Sequence, residues 1–115
     1  MRLGWFVTIP FDAFAQLDIR VGKVLEVDEI PQARKPLYRI RVDLGDAGAK
    51  QCVAGIKPYY SKEQLVGKQV VAVVNLQPRP IAGVVSECML LASFTESELS
   101  LLIPDKDMPL GSKVA

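Results

Sequence analysis

Two apolar runs, Val70–Val74 and Met89–Ala92, flank a segment rich in proline and glycine, and no other stretch constrains the fold so tightly. Pro78 and Pro80 each remove a backbone donor and hold φ near one value. Gly83 admits a conformation closed to side chains. β-rich runs bounded in this way predict two core strands joined by a stiff, exposed loop without regular structure of its own. That loop carries Asn75, Gln77, Arg79, Ser86 and Glu87. Polar groups on a loop held by a rigid scaffold are the usual material of a binding site.

The chain has 115 residues, half of them apolar, enough for a single domain with a real core. No apolar run approaches the roughly 20 residues of a membrane span. The apolar patch at the N-terminus lacks a small-residue cleavage site and ends at Pro10, so no signal peptide is expected and the cytoplasm is the expected compartment. There, Cys52 and Cys88 read as two reduced, buried core residues; pairing would require the fold to bring them close.

The sequence contains no histidine. That removes the commonest general base and the commonest metal ligand together. Two cysteines without histidine make a poor zinc site, and a cysteine nucleophile would lack its usual base. No paired-carboxylate or glycine-rich phosphate motif is present. Neither catalysis, nor a metal, nor a cofactor is expected.

Net charge is +1, but its distribution is uneven. Between Ile30 and Arg79 nine cations face three carboxylates, a local excess of +6, which leaves −5 for the rest. A basic middle with acidic ends predicts one positive face for a polyanion, or else ordinary solvated strand faces.

In chain order, Phe11, Phe14 and Leu17 recur at helical spacing, predicting a short amphipathic helix over 10–17 with Thr8 as its cap. Trp5, Phe6 and Val7 either close the core or cover a partner subunit. Residues 18–30 predict a long strand in which Ile19, Val21, Leu25 and Val27 share one parity, while Val24 breaks it just after Gly22. A glycine at such a break predicts a bulge or bend of the kind that turns small barrels. Residues 31–36 form an exposed loop with the adjacent cations Arg34 and Lys35. In the next strand Tyr38, Ile40, Val42 and Leu44 face inward, so Arg39 and Arg41 project outward side by side. A short strand through Lys50–Ala54 follows. Ser61 and Gln64 match a capping box closed by Gly67, predicting one or two helical turns. After the central pair of strands, Glu98–Ile103 is a further short strand. Three strands, a helix and two strands, the first bent at a glycine, predict an all-β chain with one or two short helices: a five-stranded OB-fold barrel with N- and C-terminal extensions. Another small barrel or a sandwich is the alternative. OB barrels bind oligonucleotides on strands two and three and neighbouring loops, where Arg39, Arg41 and Lys50 fall.

Particular motifs then resemble a known family. Residues 14–23, Phe-Ala-Gln-Leu-Asp-Ile-Arg-Val-Gly-Lys, resemble the opening of the tRNA-binding domain at the C-terminus of many methionyl-tRNA synthetases. Similar domains occur in tyrosyl synthetases and in free-standing structure-specific tRNA-binding proteins. Residues 75–92 resemble the family's second motif and residues 102–114 its ending. The resemblance runs from about Phe11 to the end of the chain. Ala33–Gly45 and Lys50-Gln51 are similar to the CsaA-type export chaperones, whereas Val53–Ile56 and Met89–Ala92 are closer to the synthetase type. Cys88 stands where the tRNA binders usually have glycine. The resemblance implies a homodimer, with residues 1–10 and 99–115 as dimerisation extensions.

Two functions are therefore expected in turn. The first is a tRNA-binding module without aminoacylation activity, partnered by tRNA and by a separate aminoacyl-tRNA synthetase. Arg34, Lys35, Arg39, Arg41, Lys57 and Arg79 would contact phosphates without reading sequence. Asn75, Ser86 and Glu87 would hydrogen-bond sugar hydroxyls or base edges; otherwise Asn75 is a turn residue and the other two tie down the loop end. For Arg39 and Arg41 the plainer reading is cross-strand pairing with carboxylates such as Asp18 or Glu26. The second function is a CsaA-type binder of peptides or unfolded preproteins, with an apolar groove at the dimer junction.

Overall fold

The computed structural model describes residues 7–115. The expected roles of Trp5 and Phe6 lie outside them. Helix α1 (Phe11–Ala15) precedes the long strand β1 (Ile19–Glu29). Strands β2 (Tyr38–Asp43) and β3 (Ala49–Ala54) follow, then helix α2 (Lys62–Leu65) and strand β4 (Gln69–Val73). The C-terminal half carries β5 (Arg79–Ile81), β6 (Val84–Ser86), β7 (Met89–Leu90), β8 (Ala92–Phe94) and β9 (Leu99–Leu101). The main sheet runs β3-β2-β1-β4-β7 and curls into the expected five-stranded OB-type barrel.

Strand β1 belongs to two halves of that barrel. Its first residues pair with β4 up to Lys23↔Gln69, and from Lys23↔Asp43 onward it pairs with β2. Gly22 sits at the changeover, where an added β-carbon would stand 2.5 Å from Val42 and 2.8 Å from Leu44. Only glycine allows the strands to cross so closely. The register shift itself lies three residues later, between Val24 and Glu26. It turns Leu25 outward, leaving it 44% exposed, and puts Val24 in the core. The expected parity set is thus corrected: Val24, not Leu25, faces inward with Val27.

The interior is filled by Ile40, Val42 and Leu44 from β2 and by Val70 and Ala72 from β4. Leu65 plugs it from α2, whose Ser61–Gln64 capping box is formed as expected. Helix α1 contrasts with this. Its N-cap is Pro10, with no side-chain cap, so Thr8 does not cap it. Phe11 remains 74% exposed, and Phe14 and Leu17 also face out, so among the described residues the apolar side of α1 is not part of the core.

The segment between β4 and β7 departs from the expected irregular loop. Arg79–Ile81 and Val84–Ser86 pair as an antiparallel hairpin. Its two-residue turn places both Ala82 (φ 51) and Gly83 (φ 82) in the left-handed region, the geometry that matches strand twist. Pro80 is tolerated because β5 is an edge strand with only one neighbour.

The base of this hairpin closes the barrel against β3, largely through side chains. The Glu87 N–H donates to Gln51 O (2.8 Å), and the Gln51 N–H donates to Glu87 Oε1 (3.0 Å). Ser86 Oγ accepts from the Val53 N–H at 3.0 Å. The same seam corrects the reading of the cysteines. Closure brings the α-carbons of Cys52 and Cys88 to 5.1 Å, within reach of a bridge, and they form a disulfide across 36 residues of sequence.

The C-terminal segment docks on the opposite part of β1. Val21 exchanges main-chain hydrogen bonds with Gly111 and Ser112, and the Val114 N–H donates to Ile19 O. Gly45 and Gly111 meet where no side chain fits: a β-carbon would lie 2.2 Å from Leu110 O and 2.5 Å from Leu44 O, respectively, and both φ values are positive. Gly111→Ala should therefore destabilise by on the order of 2–4 kcal/mol, from left-handed strain plus backbone overlap. Gly67→Ala, also at positive φ but with open space around it, should cost only about 1 kcal/mol. Urea denaturation of the two variants checks this, and equal costs would refute the close-approach argument. Reducing the Cys52–Cys88 bond should cost about 3–4 kcal/mol by releasing a long loop in the unfolded chain. The check is the denaturation midpoint with and without reductant.

Candidate nucleic-acid interface

Strand alternation fixes the centre of this face. With Tyr38, Ile40 and Val42 buried, Arg39 and Arg41 must project outward from β2. Neither stands alone. Arg39 donates to Asp28 on the neighbouring strand at 2.6 Å, which raises its pKa above the ordinary guanidinium value. Arg41 lies 3.8 Å from Glu26. The plainer expectation of cross-strand pairs thus holds for Glu26, with Asp28 as the second partner, whereas Asp18 pairs instead with Arg20 at 2.9 Å. Lys57 is hydrogen-bonded to Glu29, and Lys62 lies 3.6 Å from the same carboxylate. The Lys57 hydrogen bond, and then the charges of both lysines, hold the Glu29 carboxyl below its usual range.

Between these side chains and the hairpin runs a cleft of about 360 Å³ lined by Glu26, Asp28, Arg39, Arg41, Lys50, Gln51, Val85 and Glu87. Lys50 pairs with inward-facing Val42 at the strand end, yet it borders the same cleft. Cations and carboxylates are equal in number here, so the cleft is formally neutral.

Three of the cations without an ion pair among the described residues flank this region in the loop after β1 and in the hairpin. Arg34 and Lys35 are exposed between β1 and β2, and Arg79 is exposed on β5. The two loops meet: a β-carbon on Gly83 at the hairpin tip would stand 3.3 Å from Gln32 Nε2. The fold therefore brings the loop that carries Arg34 and Lys35 against the hairpin tip, whereas Arg79, paired with Ser86 at the hairpin base, borders the groove lined by Val53 and Met89 rather than the cleft of the β2 arginines.

The expected polar contacts of the hairpin have internal partners. Asn75 Oδ1 accepts from the Asp18 N–H at 2.8 Å, and its Nδ2 donates to Gln16 O at 2.7 Å. It anchors the end of β4 to the segment before β1. Ser86 is buried and Glu87 is half-buried in the seam. Sequence reasoning passed over Asp28, Glu29 and the structural use of Gln51, whose side chain donates to Val85 O at 2.8 Å. A signal existed: Glu26 and Asp28 alternate on β1 just as Arg39 and Arg41 do on β2.

Beside the hairpin lies a second, more apolar groove of about 400 Å³, lined by residues including Val53, Ile56, Arg79, Met89, Leu91, Phe94 and Leu99. Among the described residues no cluster of potential metal ligands occurs, and no helix is long and apolar enough to cross a membrane.

Similarity to known proteins agrees with this geometry. The family model described as "Putative tRNA binding domain" matches residues 19–113. A methionine–tRNA ligase of Methanococcus maripaludis is 48% identical over 106 residues, 92% of this chain but 16% of the ligase. The chain thus spans about one sixth of that relative's length. Among solved structures, the chaperone CsaA of Bacillus anthracis superposes with a TM-score of 0.86 at 36% identity, covering 95% of this chain and all of that one. A methionyl-tRNA-synthetase-related protein of Pyrococcus horikoshii gives a TM-score of 0.86 at 31% identity, covering 95% of this chain and 99% of that one. On the extent of the family match and the shared barrel, this chain belongs to the tRNA-binding domain family.

Proposed function

We propose that the chain is a non-catalytic module that binds tRNA in the cytoplasm, largely independently of sequence and as a homodimer, in concert with an aminoacyl-tRNA synthetase. The observation that carries this reading is the approach of the Arg34–Lys35 loop to the tip of the hairpin that bears Arg79, with all three cations exposed, on a barrel whose β2 turns Arg39 and Arg41 outward. Arg34, Lys35, Arg39, Arg41, Lys57 and Arg79 contact phosphates; such contacts supply affinity without sequence information. Asn75 and Ser86 hold the hairpin that presents Arg79, and Glu87 does so while its carboxylate borders the cleft. The homodimer reading is supported by exposed apolar side chains at both ends of the chain: Phe11, Phe14 and Leu17, with Leu102 and Ile103. Two such faces on one particle raise avidity for a large folded RNA.

Filter binding of labelled tRNA tests the reading. With about six phosphate contacts, affinity should fall by roughly three decades between about 50 and 200 mM salt. Arg34→Ala with Arg79→Ala should weaken binding, and Arg39→Ala with Arg41→Ala should weaken it at least as much, because the second pair leaves Asp28 and Glu26 uncompensated on the face. No binding at the lower salt would refute the proposal.

A second reading, peptide or preprotein binding, is favoured by the apolar groove beside Arg79 and by the likeness to CsaA. Suppression of aggregation of an unfolded client, with Phe94→Ser abolishing it and tRNA failing to compete, would select this reading.

A further inference from the structure

Three carboxylates on β1 are each held against a cation of the proposed RNA face. Register sets Glu26 opposite Arg41 and Asp28 opposite Arg39, while Glu29 engages Lys57. These contacts are not forced by burial: the Arg39 and Arg41 side chains remain 44% and 57% exposed. Glu26 and Asp28, together with Glu87, offset Arg39, Arg41 and Lys50 in the cleft, although residues 30–79 carry an excess of +6. Arg34, Lys35 and Arg79, by contrast, make no ion pair among the described residues.

We propose that Glu26, Asp28 and Glu29 are specificity determinants of this face: they occupy Arg39, Arg41 and Lys57 in the free protein and yield them only to a ligand that offers several phosphates at once. The proposal rests on the RNA-binding reading. A single phosphate reaching a paired cation must displace one anion with another, for little gain. It also meets the freed carboxylate at short range. A folded RNA engages the unpaired loop cations first, and its fixed array then brings further phosphates to the paired cations at high effective concentration. A flexible polyanion must be ordered contact by contact and receives no such help. The carboxylates therefore lower affinity for every polyanion, but most for those that bind loosely, which is selection by a repulsive element.

The test compares E26Q/D28N/E29Q with a charge-matched control, E96Q/D105N/D107N, which removes three carboxylates from the β8–β9 turn and the C-terminal loop. Both are titrated against tRNA and against heparin at about 0.1 M salt, where screening still leaves short-range charge effects visible. The β1 variant should bind tRNA about tenfold and heparin about a hundredfold more tightly than the unaltered protein, lowering the tRNA-to-heparin preference about tenfold, while the control moves either by less than about threefold. Equal shifts in the two variants, or an unchanged preference, would overturn the proposal. If the triple variant melts early, D28N alone, which frees Arg39, reads the same ratio. Unaltered protein that binds heparin but not tRNA would sink the RNA reading itself; the two heparin titrations would still decide whether these carboxylates screen the cations.

Discussion

The whole barrel depends on the close crossing of β1 and β2 at Gly22. A strand that must pair with β4 through its first half and with β2 through its second has to bend, and the bend presses Val42 and Leu44 into the space a side chain would fill. The absence of a β-carbon is thus a packing requirement here rather than a turn requirement. Once that crossing is made, β2 has its inner face committed to the core, and pleating alone sends Arg39 and Arg41 outward. The local bulge at Leu25 then resets parity so that Val27 returns to the interior while Glu26 and Asp28 face the same side as the arginines.

Closure is achieved by a different device. The short segment after β6 has too few residues to form a full ladder with β3, so Ser86 and Glu87 contribute side-chain oxygens where a longer strand would contribute carbonyls. The Cys52–Cys88 bridge spans the same seam. This concentrates structural demands beside the candidate site. The residues that close the cylinder also hold the hairpin bearing Arg79, and Glu87 borders the cleft as well. The placement of Arg79 and Glu87 is therefore coupled to the integrity of the seam.

Charge on the face is organised rather than simply accumulated. Cross-strand register pairs the cations of β2 with the carboxylates of β1, and leaves the loop cations unpaired because their loop and hairpin bring no carboxylate to them. Pairs of this exposure contribute little to folding. The effect proposed for them is on which anions the face accepts, and the apolar groove bordered by Arg79 is a surface of different character.

The inward and outward faces of β2, the bend at Gly22, the capped helix before β4 and the strand order were all determined by the sequence, because each follows from periodicity or from backbone chemistry within a few residues. The matching motifs made the family legible as well. What only the tertiary structure decided were contacts between residues far apart in the chain. The cysteines looked like separate core residues until the seam brought them together. Ser86, Glu87 and Asn75 looked free to bind a ligand until β3 and the segment before β1 supplied their partners. The positive middle of the sequence became a neutral cleft because its opposing carboxylates, Glu26 and Asp28 on β1 and Glu87 after β6, lie outside residues 30–79. Local order depends on neighbours along the chain, whereas pairing of charge and closure of a barrel depend on register, which no single segment contains.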